Sequence, residues 1–303
     1  MILIVGGTGS LGRATANRLL AKGEPTRIMT RSPEKAGDLK QVGAEIVQGD
    51  LRDKASLFKA CRGVNKVMAS AHSIFGRGRE ASKYVDLQGH IDLIEAAKNA
   101  GVEHFVYASA YVFGPYFELV PFFQCKQKVE HHLQASGLSY TILRPTAFIE
   151  SHAHYLIGRS ILSSGKVALF GKGERVRNFV AADDVAKFAV LALTEEKLNG
   201  RIVDIGGPTN CTNMDVVRLY EKAAGQNAKV RRVPAGALRV MYQLMRPLHP
   251  GLSQIMQFSL YNDLKDWPFD PQPLLDAYPV QLTSLEDWMV NYIGSRSASM
   301  AVA

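Results

Sequence analysis

The segment Ile2-Leu3-Ile4-Val5-Gly6-Gly7-Thr8-Gly9-Ser10-Leu11-Gly12 constrains the fold more than any other part of the chain. Four apolar residues in a row read as a short strand buried on both faces. Three glycines at three-residue spacing follow, and Ser10–Ala21 reads as a helix. Gly6 permits the tight turn, Gly9 removes the Cβ that would block a pyrophosphate, and Gly12 lets the helix pack close to the strand. The helix N-terminus then offers free N–H groups and a partial positive charge. Residues Gly6, Gly7, Thr8, Gly9, Ser10, Leu11 and Gly12 are therefore the expected dinucleotide-binding turn.

Strand and helix signals go on alternating. Thr26–Thr30, Ala44–Gln48, Val64–Ala69, His104–Ala108 and Tyr140–Leu143 read as strands. Between them lie helical patterns at Pro33–Val42, Asp53–Ala60, Lys83–Ala100 and Gln124–Ala135, with Asp53 as an N-cap and Gly101 as a left-handed C-cap. Such alternation predicts a Rossmann-type, doubly wound parallel α/β sheet, with the strand C-terminal ends on one rim. Beyond Pro145 the regularity breaks. Val176–Val180, Arg201–Ile205 and Lys229–Val233 read as strands, and Ala182–Leu193, Thr212–Ala224, Leu238–Met245, Ser253–Asn262 and Leu285–Ile293 as helices. The expected organisation is a Rossmann domain over 1–150 and an interleaved, small mixed α/β C-terminal lobe over 151–294. Residues 176–206 return to the core, and 295–303 form a frayed tail.

Apolar residues make up 47% of the 303-residue chain and charged residues 21%, which fits a globular protein and excludes disorder. No apolar run approaches the roughly 18 residues of a membrane span, and the N-terminus runs directly into the first strand. Three widely spaced cysteines without a C-x-x-C pair fit reduced thiols and a cytoplasmic protein. The net charge of +8 is scattered, its richest cluster being Lys229, Arg231 and Arg232, so it argues for a polyanionic cofactor over nucleic acid. His131-His132 and His152-x-His154 have no matched carboxylates, so no metal is expected. Asp183-Asp184 reads as helix capping.

The end of the second strand selects the cofactor. An NAD site places Asp or Glu there for the ribose hydroxyls. This chain has Arg31-Ser32-Pro33-Glu34-Lys35. Arg31 can pair with a 2′-phosphate, Ser32 can add a hydrogen bond and Lys35 can add charge, so NADP(H) is expected. After the third strand, Asp50 and Leu51 lie where adenine would sit. Asp50 reads equally as an acceptor for the exocyclic amine and as a turn residue.

With these residues in view, the chain resembles the NmrA-like group of atypical short-chain dehydrogenases/reductases. The resemblance rests on Gly6–Gly12, the Arg31 loop, Gly49-Asp50-Leu51, Gly137-Leu138-Ser139-Tyr140-Thr141-Ile142-Leu143-Arg144-Pro145, and Asn178-Phe179-Val180-Ala181-Ala182-Asp183-Asp184-Val185-Ala186. It covers residues 1–210 well and the rest loosely. It implies a Rossmann core with a small substrate lobe, and a group that contains quinone, isoflavone-type and dye reductases, redox-sensing regulators and assembly factors.

Reductases of the wider superfamily use Ser, Tyr and Lys, the last two in Y-x-x-x-K spacing that puts them on one helix face. The matching segment here is Phe122-Phe123-Gln124-Cys125-Lys126, so the lysine is present and the tyrosine is not. The resemblance carries over Lys126, as positioner of ribose and nicotinamide, and Ser109. A phenyl ring donates no proton. An unactivated ketone is therefore disfavoured, and a quinone-like or conjugated acceptor, which forms a stabilised product, is favoured. His72, Tyr111 and Tyr116 are the substitute donors to consider. Two functions follow: an NADPH-dependent oxidoreductase acting on a small apolar acceptor, or a non-catalytic NADP(H)-sensing regulatory or scaffold protein with a protein partner or as a homodimer. A nucleotide-sugar epimerase is disfavoured by the missing tyrosine. The apolar segments Ala237–Met245 and Ile255–Tyr261 suit lobe core, pocket wall or partner surface.

Overall fold

A computed structural model describes residues 1–112 and 118–301, with side chains to residue 294. In the first half, β1 (Ile2–Val5), α1 (Ser10–Ala21), β2 (Thr26–Thr30), α2 (Gly37–Gln41), β3 (Glu45–Gln48), α3 (Lys54–Cys61), β4 (Lys66–Ala69), α4 (Gly89–Asn99), β5 (His104–Ala108), α5 (Pro121–Ala135) and β6 (Ser139–Pro145) alternate as the patterning predicts. There follow β7 (Ala147–Phe148), α6 (Arg159–Ser164), β8 (Lys166–Phe170), β9 (Val176–Val180), α7 (Ala182–Thr194), β10 (Arg201–Ile205), β11 (Thr209–Thr212), α8 (Asn213–Ala224) and β12 (Lys229–Val233). The chain closes with α9 (Ala235–Leu248), α10 (Pro250–Asn262), α11 (Gln272–Ala277) and α12 (Leu285–Ala301).

Seven strands form one parallel sheet in the order β10-β6-β5-β4-β1-β2-β3. Its order reverses between β1 and β4, the crevice where such sheets bind ligands. Side chains of β1 alternate between the two faces. Ile2 and Ile4 join the core beneath α1 and α7, and Leu3 and Val5 join the core beneath α3, α4 and α5. Burying each of these side chains contributes roughly 2 kcal/mol. This explains why β1 reads as an unbroken apolar run.

A three-stranded sheet β11-β9-β7 and the parallel pair β8–β12 build the lobe. The return of 176–206 is thus divided: β10 joins the main sheet and α7 packs on α1, whereas β9 pairs with β7 and β11. Asp53 caps α3 by accepting from Ala55 N, and Gly101 takes φ +71°, both as expected. Asp183-Asp184 does not cap α7, whose N-cap is Ala181. Asp183 instead pairs with Arg18 of α1. The fully buried Asp184 accepts from Lys187 Nζ at 2.7 Å and Thr283 N at 2.6 Å, tying the C-terminal segment to the core. The expected single helix over 83–100 opens as a wider π-type helix at Lys83–Gln88, and a second π-type helix spans Ile149–Gly158. The expected frayed tail is helical through Ala301.

Gly12 sits directly over the turn. A Cβ there would stand 2.3 Å from Gly6 O and 2.8 Å from Gly7 Cα, both backbone atoms that cannot swing aside. Gly12→Ala should therefore lower the stability of the ligand-free protein by roughly 2 kcal/mol or more. A thermal midpoint unchanged from wild type would disprove that packing account.

Candidate functional site

Because the main-sheet strands are parallel, their C-terminal ends and the following loops share one rim. The lobe closes over it, leaving a cavity of about 650 Å³. It runs from the glycine turn, past Arg31 and Asp50, to Lys126 and the aromatic side chains of α5 and α10.

At the turn, Gly6 has φ +95°, and a Cβ there would meet Ala71 N at 2.6 Å. Gly9 differs in kind. Its φ is −85°, and its Cβ would meet only Gly6 O, at 3.4 Å. Neither backbone nor packing demands glycine at this position. Its bareness faces the cavity, and α1 begins there with no side-chain cap. An uncapped twelve-residue helix behind a bare turn suits a pyrophosphate. Thr8, Ser10, Leu11 and Gly12 line the cavity too, but Gly7 does not: it makes room for Ile28, whose Cγ2 a Cβ there would meet at 2.7 Å.

Arg31, Ser32 and Lys35 line the same end. Arg31 Nη1 donates to Glu80 Oε1 at 2.8 Å, and both side chains are more than half or about half exposed. A 2′-phosphate would thus compete with a solvated carboxylate for Arg31, a weak competitor. Asp50 lines the cavity, but Oδ1 accepts from Arg52 N and Nε, both at 2.9 Å. Arg52 holds its carboxyl below the usual range, so the turn role is the one these bonds perform. Leu51 is buried under Gly89, where an added Cβ would touch it at 2.8 Å.

The other end holds the buried groups. Lys126 lies on α5, only 4% exposed, and its Nζ donates to Ala108 O at 2.9 Å. It lies over the Tyr107 and Phe122 rings, 4.8 and 5.4 Å from their centroids. No carboxylate forms an ion pair with it among the described residues, so two of its three N–H donors remain available. Burial lowers its pKa, and the fields of Asp86 and Glu130 act against that. Asp86, in the π-type turn before α4, accepts from Ser73 N at 3.0 Å, and burial raises its pKa. Ser109 lines the cavity, but its Oγ donates to Glu130 Oε1, a carboxylate also held by Arg144. Phe122 occupies the expected tyrosine position and packs edge-on against His72, with ring centroids 6.3 Å apart.

Among the substitute donors, His72 is in the cavity wall, its pKa lowered by burial and then by Lys126, so it is neutral at pH 7. Tyr111 is also in the wall, its ring 5.2 Å from Phe269. Tyr116 lies outside the described residues. The histidine pairs go elsewhere: His132 Nε2 meets Glu95 Oε1 at 2.9 Å, and His154 Nδ1 meets the Tyr220 hydroxyl at 3.0 Å. Among the described residues no cluster of metal-ligating side chains occurs, and no helix is long and apolar enough to cross a membrane.

Sequence reasoning missed Asp86, Arg177 and Asn262, and weighed His152 only as a metal ligand; all four are buried or half-buried in or beside the cavity. The three missed residues stand in no motif. Arg177 immediately precedes the Asn178–Ala186 segment, and that adjacency was the only available signal.

The family model described as NmrA-like matches residues 1–289. The photosystem II assembly factor Ycf39 of Trieres chinensis is 29% identical over 298 residues, covering 96% of this chain and 92% of its own. An NAD(P)H azoreductase of Xenophilus azovorans is 29% identical over 226 residues, covering 75% of this chain and 74% of its own. The NADPH-dependent quinone oxidoreductase QOR2 of Escherichia coli, solved with NADPH, has the same fold. It superposes with a TM-score of 0.76 at 23% identity, over 97% of this chain and 100% of that one.

Two substitutions separate holding the fold from holding a ligand. Gly9→Ala should cost the ligand-free protein no more than about 1 kcal/mol, the difference between glycine and alanine as an N-cap, yet weaken NADPH at least tenfold, as read by calorimetric titration; unchanged affinity would remove the pyrophosphate from this turn. Arg31→Ala should weaken NADPH by roughly ten- to a hundredfold, the worth of a charged hydrogen bond, with little effect on NADH. Equal loss for both cofactors would sink the 2′-phosphate assignment.

Proposed function

The chain belongs to the NmrA-like family, and on that premise we propose that it is an NADPH-dependent reductase of small, apolar, quinone-like or conjugated acceptors. The carrying observation is Lys126. A buried ammonium with spare donors, and with no carboxylate bonded to it among the described residues, lies in the wall of a cavity that joins the glycine turn to an aromatic chamber. Bound NADPH would supply a hydride.

The chain's own residues would do the rest. The turn from Gly6 to Gly12 and the α1 N-terminus hold the pyrophosphate. Arg31 and Ser32 hold the 2′-phosphate. Lys126 orients the nicotinamide ribose, and its charge stabilises the negative charge that develops on the reduced acceptor. Phe122, Phe123, Phe258 and Tyr261 line the apolar chamber. With phenylalanine at the tyrosine position, proton delivery is left to water. That suits acceptors whose reduced form is weakly basic. The names of two relatives, an azoreductase and a quinone oxidoreductase, describe acceptors of this kind.

A second reading, an NADP(H)-binding assembly or scaffold protein, draws on α9. Its Val240, Leu244 and Leu248 are 59%, 65% and 73% exposed and fall on one helix face, as a partner surface would. The assembly-factor relative spans nearly the whole chain.

NADPH oxidation against a panel of quinones, enones and cationic dyes decides between the two. Turnover is expected with at least one class. Lys126→Met should lower kcat about a hundredfold or more, beyond any loss of NADPH affinity. Because the Lys126 pKa is lowered, the rate should decline on the alkaline side before the ordinary lysine value of about 10.4. Tight NADPH binding without turnover across the panel would favour the scaffold reading.

A further inference from the structure

Arg177, on β9, carries a charge that the protein does not neutralise. It is 8% exposed and lines both the main cavity and a smaller one of about 90 Å³ beside it. Its Nε is buried without a hydrogen-bond partner, and among the described residues its guanidinium forms no ion pair. The guanidinium carbon lies 5.2 Å from the centroid of the Phe179 ring. A ring face returns only part of the hydration that a buried cation loses. Burial lowers the pKa to about 10, which leaves the group charged at neutral pH.

The carboxylates that line the two cavities are bonded elsewhere. Asp50 is held by Arg52. Glu150 accepts from Ala182 N at 3.0 Å and Trp288 Nε1 at 3.1 Å. Asp263 accepts from Lys172 N at 3.3 Å. Two further polar groups share both cavities with Arg177. Asn262 has its Nδ2 buried without a partner. His152 has its Nδ1 at 2.9 Å from Ser151 Oγ and its pKa pushed down to about 3, so it is a neutral ring. An unpaired guanidinium and an unpaired amide N–H in one apolar pocket match the acceptor oxygens of an anion.

We propose that Arg177, with Asn262, forms an anion-binding subsite of this cavity, so that the acceptor carries a carboxylate or phosphate group on its apolar frame. The word acceptor rests on the reductase reading; the subsite does not.

The test is therefore binding, not turnover. Protein saturated with NADP⁺, so that the 2′-phosphate site is filled, is titrated calorimetrically with two matched pairs: 2-naphthoate against 2-naphthamide, and 2-naphthyl phosphate against 2-naphthol. At least one anion should bind tenfold or more tightly than its neutral partner, and the larger ratio identifies the preferred group. Arg177→Met should abolish that preference and leave 2-naphthamide and NADP⁺ affinities unchanged. Arg177→Lys, which keeps the charge and loses the fork, should retain a reduced preference; it serves as the test variant if Arg177→Met fails to bind NADP⁺. Equal binding within both pairs would overturn the subsite, as would a preference that survives Arg177→Met or is undiminished in Arg177→Lys. A naphthoate or naphthyl phosphate preference with no NADPH oxidation by any acceptor would sink the reductase reading alone. Turnover of neutral quinones with no anion preference would sink the subsite alone.

Discussion

The backbone contact between Gly12 and Gly6 fixes α1 against β1, and the rest of the site follows from it. With Gly12 over the Gly6 carbonyl, the N-terminus of α1 is set at the C-terminal rim of the sheet. Parallel strands then bring every other contributor to the same rim. β2 ends at Thr30 and delivers Arg31, β3 ends at Gln48 and delivers Asp50, β4 ends at Ala69 and delivers His72, and β5 ends at Ala108 and delivers Ser109. Residues up to a hundred positions apart in sequence meet because right-handed crossovers return each strand in the same direction.

Electrostatics gives the cavity its character. Its two buried cations, Lys126 and Arg177, come from different elements, α5 and β9, and no carboxylate is bonded to either among the described residues. Burying such groups costs several kcal/mol each, a cost that core packing elsewhere must offset. Asp86 and Glu130 moderate it for Lys126 through their fields, which raise its pKa against the desolvation that lowers it. Glu130 is itself held by Arg144 and Ser109, so it cannot swing to quench Lys126 without giving up those bonds. Positive potential is thus built into the wall; on the reductase reading it would meet the negative charge that develops on the acceptor without reorganisation.

The parts of this arrangement that were legible in the sequence are those governed by local rules. The apolar run Ile2–Val5, the glycine spacing and the N-cap Asp53 each depend on near neighbours, and each is where the pattern puts it. Asp183 and Asp184 misled because a helix start explains acidic residues locally, whereas their real partners, Arg18 and Thr283, lie 165 and 99 positions away. The π-type turns at Lys83–Gln88 and Ile149–Gly158 were invisible for a related reason. The wider turns hold Asp86, buried beside Lys126, and His152, in the cavity wall, yet the altered winding leaves composition unchanged. β8 was missed because Lys166–Phe170 is short and, past Lys166, uniformly apolar, so the alternating exposure it shows in the fold beside β12 is not written in its residue types. Arg177 reads as an ordinary strand-edge charge until the lobe closes around it.

The lobe is bound to the core by hydrogen bonds as well as by apolar contact, and this bears on how selectively the cavity can act. β9 pairs with β7, which follows β6 of the main sheet after a single residue. Next to Arg177, Asn178 accepts from Thr146 Oγ1 at 2.8 Å and Gly207 N at 2.9 Å, and donates to Gly207 O and Asn210 Oδ1, both at 2.9 Å. Thr146 in turn donates its N–H to Ile205 O of β10. The strand that presents Arg177 is therefore anchored, through its adjacent residue, to the edge of the sheet whose opposite half carries the glycine turn. A charged group supported in this way keeps its place in the wall whatever fills the cavity, which is the condition for a buried cation to discriminate between ligands by charge.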